Sequence, residues 1–319
     1  MRAVHISSLD GPSAVEVVDI PPPEPGSDQV LIRVRAAGVS FPELLQTRGL
    51  YQLQPPLPFV PGSDVAGEVV SAPEGSNLAP GDRVVALVGL GGFAEHAVTQ
   101  TDLVFPLPDA LSFEQGAAIP LNYMTAHLAL IGRGDLGDGE SVLVHGAAGG
   151  VGTASIQVAK AFGAGKVIAV TSTPEKGEVA TAAGADEVVL ADGFKDAVKA
   201  SGGVDIVVDP VGGDRFTDSL RCLKEDGRLL VIGFTAGEIP TVKVNRLLLN
   251  NVSVVGVGWG AYVIPRQGYV GGQWDALLPH LTSGAIKPPI GATFDLDHAA
   301  DALTTLDERR ATGKIVLTL

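Results

Sequence analysis

The sequence predicts an α/β protein in which a doubly wound parallel sheet follows a β-rich, barrel-like domain. Two observations carry this prediction. Residues 1 to about 120 contain many short strand patterns separated by turns rich in Gly and Pro, which is typical of a compact β domain. From residue 141 onward, apolar strand patterns alternate with helical patterns, which is typical of a parallel sheet covered by helices on both faces.

Within the first part, alternating or apolar runs predict strands, and prolines break the chain between them. The segment 41–48 reads as a short helix, because Pro42 suits the first turn of a helix. The predicted strands are 2–7, 15–19, 29–36, 65–71 and 83–87.

In the second part, six runs of Val, Ile and Leu predict buried parallel strands joined by crossover helices. The tail after about residue 258 has two helical patterns, 274–283 and 297–310, and a final strand, 314–319. It is too small to fold alone, so we expect it to rejoin the first domain. The six predicted strands of the sheet are 141–145, 166–171, 187–191, 204–209, 228–233 and 252–257.

Composition narrows the possible classes of function. The chain has 319 residues, a formal charge of −14 and 45% hydrophobic residues, so it is globular, and it lacks the broad basic face that binds nucleic acid. A single cysteine, Cys222, excludes an intrachain disulfide and a cysteine-rich zinc cluster. The N-terminus has no apolar signal core, and no segment is apolar enough to span a membrane. We therefore expect a cytoplasmic protein.

A glycine-rich turn at residues 146–152, GAAGGVG, lies between a predicted strand and a predicted helix. Gly149 and Gly152 fit the second and third glycines of the dinucleotide-binding pattern G-x-G-x-x-G, and Ala147 takes the place of the first. The helix N-terminus beyond such a turn offers backbone N–H groups to a pyrophosphate. The predicted pyrophosphate-binding residues are Ala148, Gly149, Gly150, Val151 and Gly152.

The end of the second strand predicts which nicotinamide cofactor is bound. An acidic residue about 20 positions after the last glycine selects NAD through the ribose 2′-hydroxyl. Here Thr171 and Ser172 occupy that position, and Lys176 follows. Hydroxyl groups and a lysine suit a 2′-phosphate, so we expect NADPH.

Several stretches together resemble a known family. They are AAGVSFPELLQTRGLY (36–51), LPFVPGSDVAGEV (57–69), AAIPLNYMTAHLAL (117–130), VLVHGAAGGVG (142–152), GADEVV (184–189) and ATGKIVL (311–317). The chain resembles the zinc-free NADPH:quinone oxidoreductases, related to zeta-crystallin, of the medium-chain dehydrogenase/reductase superfamily. The resemblance implies a GroES-like catalytic domain at 1–120, completed by 259–319, and a Rossmann domain at 121–258, with the cofactor in a cleft between the two.

The resemblance also implies that no metal is bound. Zinc-dependent relatives use Cys, His and Glu ligands, and the matching positions here are Ser40, Ser63, Asp64 and Asn122. One carboxylate with two hydroxyls and an amide is a poor zinc site.

The expected reaction reduces a quinone or another electron-poor carbonyl compound, a small-molecule substrate. The developing negative charge on oxygen needs a hydrogen-bond donor, for which we consider Asn122 and Tyr51 first, and Tyr123 and Thr125 as well. Several relatives have a tyrosine where this chain has Leu45, which leaves the identity of the substrate open. Lys314 is open to two interpretations, a cofactor contact or a charge on an edge strand. The other residues expected to line the cofactor are Thr125, Val211, Gly233, Phe234, Gly258 and Trp259.

The strand 252–257 would be an edge strand, and in the family this edge pairs with its copy, so we expect a homodimer. Three alternatives remain open from sequence. They are an enoyl or alkenal reductase, a non-catalytic NADPH-binding protein and a zinc alcohol dehydrogenase.

Overall fold

A computed structural model describes all 319 residues, Met1–Leu319, which divide into two compact units. The first unit comprises Met1–Leu121, Val270–Asp275 and Lys287–Leu319, and the second comprises Asn122–Tyr269 and Ala276–Ile286. The junction after Leu121 lies one residue from the boundary expected at 120. The tail divides differently from the expectation, since 259–269 and 276–286 belong to the second unit. Local packing shows why: Trp274 stacks on Phe105 within the first unit, whereas His280 packs on Phe162 within the second.

The first unit is rich in strands, as the Gly/Pro-punctuated sequence predicts. Its helices are α1 (Phe41–Gln46), α2 (Phe113–Ala117) and α11 (Ala299–Asp307). Its strands are β1 (Arg2–Ile6), β2 (Val15–Asp19), β3 (Gln29–Val39), β4 (Asp64–Ser71), β5 (Arg83–Leu87), β6 (His96–Gln100), β7 (Val104–Pro106), β14 (Ile290–Asp295) and β15 (Lys314–Thr318).

One mixed sheet organises this unit, in the order β14-β15-β3-β4-β5-β7, with β6 also paired to β3. β15, which ends the chain, lies between β14 and β3, so it is an interior strand. Val34, Val65, Phe93 and Leu317 belong to the buried core of this unit. β1 and β2 form a separate antiparallel pair.

The second unit alternates strands with helices. Its helices are α3 (Pro120–His127), which starts in the first unit, α4 (Gly150–Ala161), α5 (Pro174–Ala182), α6 (Phe194–Ala200), α7 (Arg215–Leu220), α8 (Asn245–Asn250), α9 (Trp259–Val263) and α10 (Tyr269–Ser283), which crosses the unit boundary. A π-helical turn, Leu128–Arg133, extends α3. Its strands are β8 (Ser141–Val144), β9 (Lys166–Thr171), β10 (Glu187–Leu190), β11 (Val204–Asp209), β12 (Leu223–Val231) and β13 (Ser253–Gly256).

All six strands of this unit are parallel and follow the order β10-β9-β8-β11-β12-β13. The predicted fold class is thus confirmed. The sequence order reverses between β8 and β11, and in open parallel sheets ligands bind beyond the carboxyl ends of the strands at such a switch point. Leu143, Ile168, Val207 and Leu229 form the core against which the helices pack. No helix of the chain combines the length and apolar character needed to cross a membrane.

Candidate functional site

The glycine-rich turn connects β8 to α4 at the switch point of the sheet. Gly146 has a φ of +58°, a left-handed conformation that favours glycine, and its carbonyl accepts the Gly149 N–H at 2.9 Å. A Cβ at Gly152 would overlap the Gly146 oxygen and lie 2.7 Å from the Ala147 Cα. The missing side chain therefore lets the first turn of α4 pack directly on the glycine turn.

The start of α4 leaves several donors free. The Thr153 N–H bonds to the Gly149 carbonyl, but those of Gly150, Val151 and Gly152 reach no carbonyl within the chain. The N-cap residue Gly149 has no side chain to satisfy them, and the first turn contains no acidic residue. These N–H groups and the positive end of the helix dipole suit an anion such as a diphosphate.

Loops after β11 and β12 lie beside this turn. The Asp209 carboxylate accepts the N–H groups of Val211 and Gly212, each at 2.9 Å, which folds the first of these loops. Val211 Cγ2 lies 3.3 Å from the place of a Cβ at Gly146, and Phe234 Cδ1 lies 2.9 Å from the place of a Cβ at Gly212. The predicted lining residues Val211, Gly233 and Phe234 are thus brought to the switch point. Gly258 and Trp259 follow β13, the end strand of the sheet.

The end of β9 carries the residues predicted to select the cofactor. Thr171 is buried, and its hydroxyl donates to the Thr173 carbonyl at 3.1 Å, so it is already committed within the turn. Ser172 is exposed, and Lys176 is half-buried in the first turn of α5. The Thr173 side chain caps α5 by accepting the Lys176 N–H. Ser172 and Glu175 are exposed at this position, and Lys176 is half-buried beside them.

Three of the residues considered from sequence as hydrogen-bond donors lie on α3, and their side chains have different environments. The Tyr123 hydroxyl is buried and donates to Gln157 Oε1 of α4 at 2.8 Å. Thr125 is buried. The Asn122 side chain packs on the first residue of α4, since its Cγ lies 3.3 Å from the place of a Cβ at Gly150.

A second polar assembly lies in the first unit, and we call it the lysine cluster: Ser40, Glu43, Ser63, Asp64 and Lys314. Lys314 Nζ donates to Ser40 Oγ at 2.6 Å and to Asp64 Oδ2 at 3.1 Å. Ser40 caps α1, and its N–H donates to Glu43 Oε2, while Ser63 Oγ donates to Glu43 Oε1 at 2.8 Å. Glu43, Asp64 and Lys314 are buried. Lys314 is therefore an internal ion-pair partner on an interior strand, and its interpretation as an edge-strand charge is wrong.

Burial dominates the electrostatics of the lysine cluster. It raises the pKa of Asp64, although the Lys314 ammonium acts in the opposite direction. For Glu43, burial and then the Asp64 charge raise the pKa to about 7, against the lowering effect of Lys314. The cluster thus holds two buried carboxyl groups with one ammonium between them.

The residues present do not fit a catalytic zinc ion. Ser40 and Ser63 are neutral hydroxyls, whereas zinc sites in proteins use thiolate, imidazole or carboxylate ligands. Lys314 Nζ, a donor that cannot ligate a metal while protonated, is bonded to both Ser40 and Asp64. The fourth position named from sequence, Asn122, faces α4, and it is the backbone of the preceding residue, Leu121, that interacts with the Asp64 carboxylate.

Tyr51, the other predicted donor, is partly buried in the first unit. Burial, and secondarily the charge of Glu43, raise its pKa, so its hydroxyl stays protonated and remains a hydrogen-bond donor at neutral pH. The role of Glu43, whose charge acts on Tyr51, was not predicted from the sequence. A Ser-x-x-Glu capping pattern at residues 40–43 was the available signal, and it indicates a helix start rather than a charged cluster.

Comparison with known proteins agrees with this architecture. The sequence-family model for the alcohol dehydrogenase GroES-like domain matches residues 26–109. The family model for zinc-binding dehydrogenases matches residues 150–275. The quinone oxidoreductase-like protein 2 of Bos taurus is 37% identical over 324 residues, covering 100% of this chain and 92% of that protein.

Solved structures extend the likeness to the fold. A probable oxidoreductase from Mycobacterium abscessus is 42% identical with a TM-score of 0.91, covering 100% of this chain and 99% of that one. The quinone oxidoreductase of Thermus thermophilus, also solved in complex with NADPH, is 36% identical with a TM-score of 0.87 over 100% of both chains. Because sequence and fold agree over its whole length, the chain belongs to the quinone oxidoreductase family of the medium-chain dehydrogenase/reductase superfamily.

Proposed function

We propose that this oxidoreductase uses NADPH to reduce a quinone, or a related electron-poor carbonyl compound, without a metal ion. The observation that carries the proposal is the glycine turn, whose free N–H groups at Gly150, Val151 and Gly152 lie at the switch point of a parallel sheet. The complex of the Thermus thermophilus enzyme with NADPH supports the choice of cofactor.

When bound, NADPH supplies a hydride, and the acceptor takes up one further proton to become the hydroquinone. The chain's own residues bind the cofactor and orient the acceptor. The N–H groups at the start of α4 hold the diphosphate, and Val211, Gly233 and Phe234 line the same edge of the sheet. The Tyr51 hydroxyl is our candidate donor to the oxygen that gains negative charge.

Selection of NADPH over NADH is assigned to Ser172 and Lys176. Neither Thr171 nor Ser172 is the carboxylate that would bond a 2′-hydroxyl and repel a 2′-phosphate. Ser172 is exposed, and the Lys176 side chain follows within the first turn of α5. The buried Thr171 hydroxyl supports the turn by donating to Thr173, so we expect it to contribute less than its two neighbours.

The chemistry of the lysine cluster supports metal independence. The Lys314 ammonium neutralises Asp64 and occupies its Oδ2 oxygen, and both Glu43 oxygens accept hydrogen bonds from Ser40 and Ser63. We therefore expect turnover to continue unchanged in the presence of a strong chelator.

The proposal is tested by initial rates with NADPH and, separately, NADH, using 1,4-benzoquinone and 9,10-phenanthrenequinone as acceptors with a chelator present. Fast turnover selective for NADPH supports it. Loss of activity with the chelator contradicts metal independence, and preference for NADH contradicts the role of Ser172 and Lys176. Turnover of α,β-unsaturated carbonyl compounds or thioesters, with none of quinones, replaces the quinone assignment by an enoyl reductase.

We further propose a homodimer that forms through β13. This strand ends the sheet and pairs with β12 on one side only. Apolar side chains stand exposed in the neighbouring segments, among them Leu248 and Leu249 of α8, which are 76% and 75% exposed. An unpaired edge flanked by exposed apolar residues favours pairing with a second copy.

Light scattering after size-exclusion chromatography tests the dimer. We expect the wild-type chain to run at twice its monomer mass of 32.6 kDa and L248D/L249D to run as a monomer. The matched control is L190D, which places a charge on β10 at the opposite edge of the same sheet and should leave the dimer intact. A monomeric wild type contradicts the proposal.

A further inference from the structure

The carboxamide of Asn122 is a polar group whose hydrogen-bonding capacity the chain does not use. Asn122 is only 4% exposed, and its side chain makes no hydrogen bond within the chain. Its Nδ2 and Oδ1 keep some contact with solvent, so the amide is available to a ligand from outside the chain. The position of the amide shows which partner fits.

The amide points at the first residue of α4. A Cβ at Gly150 would overlap Asn122 Nδ2 and lie 3.3 Å from its Cγ and 3.5 Å from its Oδ1, so the nitrogen is the nearest of these atoms. This places Nδ2, which carries two N–H donors, beside Gly150, the first of the three residues of α4 whose N–H groups are unpaired. Donors from two separate helices thus lie together, with no acidic residue in the first turn of α4.

Neighbouring contacts fix this arrangement. The Tyr123 hydroxyl, one residue along α3, donates to Gln157 Oε1 of α4 at 2.8 Å, and both residues are buried. This contact ties α3 to α4 next to Asn122, so the backbone positions of the two helices are linked at this point. A ligand bound here meets a rigid set of donors, which favours an anion with several oxygens.

We propose that Asn122 is a cofactor-binding residue whose Nδ2 donates to the diphosphate of the dinucleotide, together with the N–H groups at the start of α4. This rests on the proposed function, because that function supplies the dinucleotide. It assigns Asn122 to the cofactor, whereas the sequence pointed to a donor for the substrate oxygen.

The test compares N122A and N122D with the wild type. Dissociation constants are measured by fluorescence titration for NADPH and ADP-ribose, which carry the diphosphate, and by competition for adenosine 2′-monophosphate, which does not. We expect N122A to weaken the first two about 10-fold and N122D about 100-fold, because a carboxylate also repels phosphate. Binding of adenosine 2′-monophosphate should stay within about 2-fold of wild type.

The control is N77D, which makes the same charge change in an exposed loop of the first unit and should alter none of these constants. Thermal melting of the cofactor-free variants shows whether they fold. If N122D does not fold, N122A alone carries the test. Equal weakening of all three ligands, or unchanged binding of NADPH with a reduced kcat, overturns the assignment of Asn122 while leaving the proposed function standing. A wild-type protein that binds no dinucleotide overturns both.

Discussion

The glycine turn of the second unit and the lysine cluster of the first unit are built in opposite ways. The turn is contiguous in sequence, at residues 146–152, and offers backbone N–H groups that only the absence of side chains makes available. The cluster draws charged side chains from distant positions, with Lys314 bonded to Ser40 and Asp64 across 274 and 250 residues. The turn is open to an anion, whereas the cluster satisfies most of its own charge in the interior.

The two regions differ in the kind of charge that they carry and in how that charge is stabilised. At the turn, the backbone N–H groups carry only partial charges and can bond to water when no ligand is present. The empty site is therefore stable. In the cluster, full charges are buried, and the fold keeps them only while ammonium and carboxylate face each other. We therefore expect substitutions in the cluster to act on stability, and substitutions in the turn to act chiefly on ligand affinity.

The largest effect is expected for K314M. Methionine has similar length and no charge, so Asp64 would stay buried without its counter-ion. Breaking a buried ion pair from one side typically costs about 3–5 kcal/mol in the free energy of unfolding. Urea denaturation followed by circular dichroism measures this loss.

Two further variants sharpen the K314M result. K314M/D64N removes the ammonium and the carboxylate bonded to it, and should recover a large part of the stability, since Asp64 no longer leaves a buried charge without its counter-ion. K243M, a change at an exposed lysine, should shift the free energy of unfolding by less than about 0.5 kcal/mol. If K314M were as stable as K243M, the ion pair would not hold the cluster together.

The sequence predicts more of the glycine turn than of the lysine cluster. The parallel sheet and the glycine turn follow from local signals, namely apolar runs of Val and Ile and glycines at fixed spacing. The cluster depends on the pairing of β15 with β3, which brings Val316 opposite Gly38, and no local pattern specifies that pairing. Gly38 itself is needed because a Cβ there would overlap the Ala117 carbonyl oxygen and lie 2.6 Å from Lys314 Cε, contacts visible only in three dimensions.

Local sequence patterns also could not predict which individual side chains are buried. Thr171 and Ser172 are adjacent hydroxyl residues with the same apparent suitability for a phosphate. The structure buries Thr171 and leaves Ser172 exposed, because alternate residues at the end of β9 face opposite ways. The same holds for Tyr123, whose hydroxyl is taken by Gln157 of a helix some 34 positions away. Tertiary packing decides which polar residues of a motif are free to act.

The second prediction compares two glycines of one turn. A methyl group in G152A would overlap backbone atoms of Gly146, so it should lower the free energy of unfolding by about 1–3 kcal/mol and weaken NADPH binding as well. In G149A the methyl group lies 3.4 Å from the Gly146 oxygen, an ordinary contact, and the backbone is extended with φ −84°.

G149A should therefore keep the stability of the wild type and lose only affinity for NADPH, because the backbone can no longer approach the diphosphate as closely. Thermal melts without cofactor and NADPH titrations separate the two effects. Equal loss of stability in both variants would show that the turn depends on glycine flexibility in general, rather than on the close packing of α4 at Gly152.

The third prediction is a pH dependence that arises from Glu43. Its pKa is about 7 in the folded protein, chiefly because of burial, whereas the unfolded chain has the ordinary value of 4.5. Between these values the folded state binds more protons than the unfolded state, so stability falls as pH rises, by at most about 1.4 kcal/mol per pH unit. Below about pH 4.5 both states are protonated and the effect vanishes.

E43Q mimics the protonated acid and should remove this slope. Its Oε1 can accept from the Ser40 N–H, and its amide can donate to Ser63 Oγ, which then donates to the Gly89 carbonyl 3.3 Å away. Stability curves from pH 4.5 to 8 should therefore diverge, with E43Q more stable than wild type at the alkaline end. The exposed control E74Q should follow the wild type. Parallel curves for E43Q and wild type would mean that Glu43 is ionised throughout, and that the single Lys314 ammonium stabilises both carboxylates of the cluster.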